Sequence, residues 1–219
     1  MKNEVLETIF IPEFSREHEL ANIFIHVLGI LFGVIAVPFL VSLAAQQHDT
    51  SRMISIAVYG VCFLMLFTCS ASYHACKTQR MRCLFHKLDR ISIYFLIAGT
   101  YTPVIRFYLF DSTGIFLLIV LWMLVVLGTF FEIFFPQKFN IFSTMFYVLM
   151  GWICIFVWEH FFSPIPSHIT ALIIAGMIIY SIGVIFYLWQ KIKYHHAIWH
   201  AFVLTGGICH FIAVLNTVA

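Results

Sequence analysis

Seven apolar stretches of about 20 residues each follow one another along this chain, at 22–45, 53–74, 89–109, 113–135, 141–161, 169–190 and 195–218. A hydrocarbon layer of about 30 Å requires a helix of about that length, and no other element satisfies its own backbone groups there except a closed barrel. The pattern therefore predicts an all-α, polytopic membrane protein, a bundle of seven transmembrane helices. Composition agrees: 62% of the 219 residues are hydrophobic, 10% are charged, and mean hydropathy is +0.98. Soluble domains carry roughly 25% charged residues. A formal net charge of +2 gives no basis for binding nucleic acid.

Short polar punctuation separates the spans. Gln46-Gln-His-Asp49, Phe110-Asp-Ser-Thr-Gly114 and Ser163-Pro-Ile-Pro-Ser167 read as turns. Residues 1–21 form a short cytoplasmic segment and 22–219 one membrane domain. No cleavable signal peptide is expected, because the first 20 residues carry five glutamates and no apolar run ending in small residues. The six cysteines include no Cys-x-x-Cys pair, which argues against a disulfide framework or a thiolate metal site.

Orientation follows from the basic residues. Ten of the twelve Lys and Arg fall on one side of the spans, counting Lys2, Arg16, the run Lys77 to Arg90, Lys138, Lys191 and Lys193. Only Arg52 and Arg106 fall on the other. The positive-inside rule places the N-terminus in the cytoplasm and the C-terminus outside. The expected location is a bacterial inner (plasma) membrane, with membrane lipids as partners, no nucleic acid, and homo-oligomerisation left open.

That orientation brings chemistry to one depth. His74 ends the second span, Asp89 opens the third, and His196-Ala-Ile-Trp-His200 opens the seventh, all at the cytoplasmic side. Histidines four residues apart share a helix face, one turn of about 5.4 Å apart. With His74 from a facing helix they make a three-histidine set, the pattern of a zinc site that keeps its fourth position open. Ionisable groups inside a membrane are costly and point to function. Ser70 lies one turn before His74 and approaches the ion's water or an imidazole; its plain alternative is a bond to the carbonyl four residues back. Asp89 is read as a base beside the metal, or else as a partner of Arg90 or Lys87. Glu19, Asn22 and His26 share one stripe of the first span, where Glu19 and Asn22 equally serve as helix-start residues. His210 lies about 15 Å beyond His200 and is expected to be a buried hydrogen-bonding residue. Gly29-x-x-x-Gly33 allows close helix approach. Gly99-Thr-Tyr-Thr-Pro103 is expected to kink the third span.

Taken together, Glu19-x-x-Asn22-x-x-x-His26, Ser70-x-x-x-His74, Leu88-Asp89, Ala98-Gly-Thr-Tyr-Thr-Pro103, Met150-Gly-Trp152 and His196-x-x-x-His200 with His210-Phe211 resemble the hemolysin III family, the bacterial branch of the progestin and adipoQ receptors. The resemblance runs from about Glu19 to the end of the chain. It implies seven helices and a Zn2+ ion near the cytoplasmic face, held by His74, His196 and His200, with Asp89 and Ser70 approaching it through water. Arg90 departs from the histidine or tyrosine common after that aspartate. The receptor branch's long N-terminal region has no counterpart, so hormone binding does not carry over.

The activity implied is zinc-dependent hydrolysis of a lipid amide, ceramide-like in class, with Asp89 and Ser70 as catalytic residues. Two other readings stand beside it: a membrane sensor or homeostasis factor with a structural zinc, and the cytolytic protein of the family's name. The spans show no polar stripe of the kind that lines a pore.

Overall fold

The computed structural model describes residues 14–135 and 140–218. Lys2 and Lys138, two of the orientation-setting cations, lie outside them. Eight α-helices and one 3-10 turn account for nearly all of the described chain: α1 (Arg16–Gln46), α2 (Thr50–Ala75), α3 (Gln79–Tyr108), α4 (Ser112–Phe134), α5 (Asn140–Gly151), the 3-10 turn (Ile153–Val157), α6 (Trp158–Phe162), α7 (Ser167–Leu188) and α8 (His195–Val218). α5, the 3-10 turn and α6 together form one crossing, so the bundle has seven. There is no strand among the described residues. Six of the crossings are long and apolar enough to span a membrane by length and composition. The seventh, α3, is 30 residues long but carries the charged run from Arg82 to Arg90. This is a multi-pass membrane protein.

The turns have the caps their residues promise. Asp49 accepts from the Arg52 backbone N–H at 3.0 Å and starts α2. Asp111 accepts from Gly114 N–H at 2.9 Å and starts α4. Ser15 caps α1 through His18 N–H, with Glu17 and Glu19 in the first turn, where the helix dipole favours acid. α1 thus begins within the N-terminal segment, ahead of the apolar run.

Burial is arranged for lipid. Tyr59, Phe63 and Phe67 of α2 and Tyr94 of α3 are fully enclosed, while Ile35 of α1 and Phe116, Met123 and Val126 of α4 are exposed. A water-soluble helix would turn those side chains inward. α3 sits centrally, against α2, α4, α5 and α8.

Two expectations change. The fifth crossing is not one helix: it breaks after Gly151, and Tyr101 donates its hydroxyl to the Gly151 carbonyl at 2.6 Å. That bond satisfies an acceptor that the interrupted helix leaves open. Trp152 donates to Ser181 at 3.0 Å and ties the break to α7. The third crossing starts ten residues earlier than its apolar run, at Gln79, and Arg90 is not a loop cation. Its side chain is buried and paired with Glu132 of α4, at 3.0 Å for one nitrogen and 2.9 Å for Nε. Near Pro103, Thr100 and Thr102 bond the carbonyls of Leu96 and Ala98, each at 2.8 Å.

Candidate metal centre and lipid-facing cavity

Glycines set the spacing of α1 and α2. A Cβ on Gly29 would lie 2.3 Å from Phe67 Cδ1, and one on Gly33 would lie 2.6 Å from Leu64 Cδ2, so a larger residue at either would push the facing side chain away. The two helices run antiparallel, and each step toward the basic end pairs the next residues. His26 meets Ser70, one turn beyond the Gly29–Phe67 contact, with His26 Nε2 and Ser70 Oγ hydrogen-bonded at 2.8 Å. One further turn brings Glu19 and Asn22 to His74. Glu19 Oε2 accepts from His74 Nδ1–H at 2.6 Å, and the Asn22 amide lies 3.3 Å from the same nitrogen. Arg82 of α3 donates to the other oxygen of Glu19.

α8 completes the group. A Cβ on Gly207 would touch Phe63 at 3.3 Å, which fixes how near α8 lies to α2. Two turns earlier, His200 turns its Nε2 toward that of His74, 3.2 Å away. Ligand-capable atoms of His26, His74 and His200 all lie within 4.8 Å of one another, and all three residues are buried. Three histidines from three helices form a group able to hold a metal ion.

The group overlaps the expected set without matching it. His74 and His200 are common to both. His26, one member of the α1 stripe, stands third, with its ring 4.1 Å from that of His200. His196 is adjacent: its ring centroid is 4.4 Å from His200's and 5.3 Å from His74's. Phe14 stacks on its other side at 4.8 Å. Of the four buried histidine nitrogens without a hydrogen-bond partner among the described residues, two, His26 Nδ1 and His196 Nε2, belong to this cluster; the others are His86 Nδ1 and His195 Nδ1. An imidazole lone pair left so in a low-dielectric interior is costly unless a cation takes it. The donor set, neutral imidazoles with no thiolate, suits zinc or another borderline transition metal.

Glu19 decides the chemistry of His74. With Nδ1–H given to a carboxylate, the lone pair of His74 is on Nε2, the atom that faces His200. A carboxylate so placed fixes the ring's tautomer and orientation, as it does for metal-bound histidines generally.

Ser70 and Asp89 occupy the neighbouring wall. Asp89 lies within hydrogen-bonding reach of Ser70. Ser70 has one proton to give, and donating it to Asp89 leaves its oxygen to accept from His26 Nε2–H. Of the expected alternative partners of Asp89, Arg90 pairs closely with Glu132 and also acts on Asp89 through its charge, and Lys87 donates to the Ile133 carbonyl at 3.4 Å. His26, Ser70, Asp89, His196 and His200 all line a cavity of about 580 Å³ at the basic end of the bundle. Behind it, toward mid-membrane, lies a smaller apolar cavity of about 100 Å³. Leu66, Ile93, Tyr147, Trp199 and Val203 belong to the walls of both, so a polar chamber backs directly onto an apolar one. His210 sits in the second and donates Nε2–H to the Ile173 carbonyl at 3.0 Å, apart from the histidine group.

Glu132, Arg82 and Phe14 carry weight here that the sequence reading did not give them. A lone acid in the apolar run of α4 was the available signal for Glu132, since a carboxylate in lipid needs a partner.

A sequence profile described as Haemolysin-III related matches residues 14–211. The chain belongs to that family. It is 37% identical to the Hemolysin-3 homolog of Bacillus subtilis (strain 168) over 202 residues, covering 92% of this chain and 95% of that one. It is likewise 37% identical to Hemolysin-3 of Bacillus cereus, covering 93% of this chain and 92% of that one. A more distant relative is the human Monocyte to macrophage differentiation factor, 27% identical over 89% of this chain and 82% of that one. The matched residues include His26, His74, His196 and His200, so this haemolysin III-related protein shares nearly all of its membrane domain with the family.

Proposed function

We propose that this protein is a zinc-dependent hydrolase of lipid amides, ceramide-like in substrate class, working at the cytoplasmic side of the bilayer. The observation that carries the reading is the joining of two chambers. Buried imidazoles, Ser70 and Asp89 line one, and the other is apolar and shares a wall with it at Leu66, Ile93, Tyr147, Trp199 and Val203. An acyl chain lying in the inner chamber leaves its carbonyl among the polar groups of the outer one.

His74 and His200 would hold the ion, with His196 as third ligand. The buried Nε2 of His196 has no partner among the described residues; His26, whose Nδ1 is open as well, gives its Nε2 to Ser70 and so belongs to the Ser70–Asp89 side of the site. Zinc bound there supplies Lewis acidity and makes water ionisable near pH ~7. The residues of the chain do the rest. Asp89 accepts a proton from the attacking water and returns it to the leaving amine. Ser70 orients the Asp89 carboxylate, and Glu19 keeps His74 in the tautomer that turns Nε2 to the site. Apolar walls at Leu66, Ile93 and Val203 exclude bulk water, which strengthens each electrostatic contact inside.

A second reading has its own observation. The group of His26, His74 and His200 draws one residue from each of α1, α2 and α8, so an ion among them would also staple three helices. A membrane sensor or homeostasis factor would use it so. Cytolysis, after the names of the Bacillus relatives, finds less support, because the centre of the bundle is filled by Tyr59, Phe63 and Phe67.

The test is turnover. Purified protein is offered a panel of amide and ester lipids with and without zinc, alongside Asp89→Ala. Zinc-dependent fatty-acid release that the variant lacks supports the hydrolase. No release across the panel favours the sensor.

A further inference from the structure

The rim of the outer cavity is not electrically neutral. Lys191 and Lys193, both exposed, stand on the short turn between α7 and α8 and line the opening. The turn is held in one shape: Tyr194 has φ 62°, a left-handed conformation, and its hydroxyl donates to Glu17 of α1 at 3.3 Å. Lys193 Nζ lies 5.0 Å from the Tyr194 ring centroid, so its stem is braced against an aromatic face. Among the described residues Asp89 is the one acid in the cavity wall, and it lies inward, against Ser70. Arg90, also in the wall, is matched by Glu132. Two lysine charges therefore stand over the mouth with no acid lining it to balance them. Further in, the wall is apolar.

A neutral head group gains nothing from such a rim. We propose that the lipid admitted to this site carries an anionic, phosphate-bearing head group, which Lys191 and Lys193 hold at the mouth while the acyl chain enters past the histidines. Ammonium groups bind phosphate as compact point charges. At a membrane surface each lysine near an anionic group strengthens binding about fivefold. What becomes of the lipid rests on the hydrolase reading, but its recognition does not. Basic residues at this end of the bundle also serve orientation, as Lys77 on the α2–α3 turn and Arg80 at the start of α3 do. Both are exposed and line neither of the two cavities, which makes them the natural control.

The experiment measures binding, not turnover. The full-length protein in neutral detergent is titrated with a fluorescent phosphatidic acid analogue and with a ceramide analogue of the same acyl chain. The anionic analogue should bind about 25-fold tighter, the product of about fivefold from each of two lysines. That advantage should fall to within about threefold in Lys191→Gln/Lys193→Gln and persist in Lys77→Gln/Arg80→Gln. Inorganic phosphate should displace the analogue only weakly, since it brings no chain. Equal affinity for both analogues, or equal loss in both double variants, overturns the proposal. Displacement by phosphate at concentrations matching the lipid's marks a free-phosphate site and overturns it too. Lysine-dependent preference in a protein that hydrolyses nothing would retain this proposal and sink the hydrolase. Hydrolysis with no head-group preference would do the reverse.

Discussion

Glu19 Oε2 lies 2.6 Å from Nδ1 of His74, and the same carboxylate is held from its other side by Arg82. Three helices meet in that contact: α1 supplies the acid, α2 the imidazole and α3 the guanidinium. The arrangement makes Glu19 a positioning residue for the histidine group. Glu19→Ala should lower zinc affinity by roughly 10- to 100-fold, the loss typical when such a partner is removed. Competition with a fluorescent chelator measures it. A bundle whose melting temperature falls while zinc affinity stays unchanged would reduce Glu19 to a helix-start residue.

The third ligand can be decided by substitution. The wild-type protein should carry about one zinc per chain, since the described residues contain one such histidine group. His74→Ala and His200→Ala should each empty it. His196→Ala should do the same, while His26→Ala should retain most of the metal. Elemental analysis of the four variants reads this directly, and the opposite order would assign the position to His26.

Most of the spans were legible in the sequence because lipid leaves little choice: about 20 apolar residues, opened by a cap such as Asp49 or Asp111, make a crossing. Periodicity also put Glu19, Asn22 and His26 on one stripe of α1. It could not say which way the stripe faced. That depends on the Gly29–Phe67 contact, a relation between residues 38 positions apart. The break at Gly151 was hidden for the same reason, since the bond that satisfies it comes from Tyr101 on another helix. Arg90 was misplaced because charge was read as a sign of loop. A buried arginine is tolerated only with its acid, and Glu132 lies 42 residues downstream.

That pair has its own consequence. Glu132→Ala leaves a guanidinium buried between α3 and α4 without its carboxylate, a change worth about 3–5 kcal/mol of stability. Arg90→Met/Glu132→Leu, which removes both charges, should recover most of the loss. Thermal unfolding in detergent compares them. A double variant no more stable than Glu132→Ala would show that the charges do more than pair.

Orientation is tested by reporters. A fusion after Ala219 should be active only outside the cytoplasm, and an insertion near Arg80 only within it. The reverse pattern would place the histidine group at the outer face and undo the route proposed for the lipid.

The central claim is that metal at this site acts on lipid instead of only joining helices, and Asp89 separates the two. Asp89→Asn keeps the shape of the side chain and removes the base. Zinc content, melting temperature and fatty-acid release from a lipid amide are to be measured on one preparation of wild type and variant. The hydrolase account expects zinc and melting temperature to be retained while release falls by roughly 10²-fold or more. Unchanged release with zinc in place, or a defect that merely follows lost thermal stability, would contradict it.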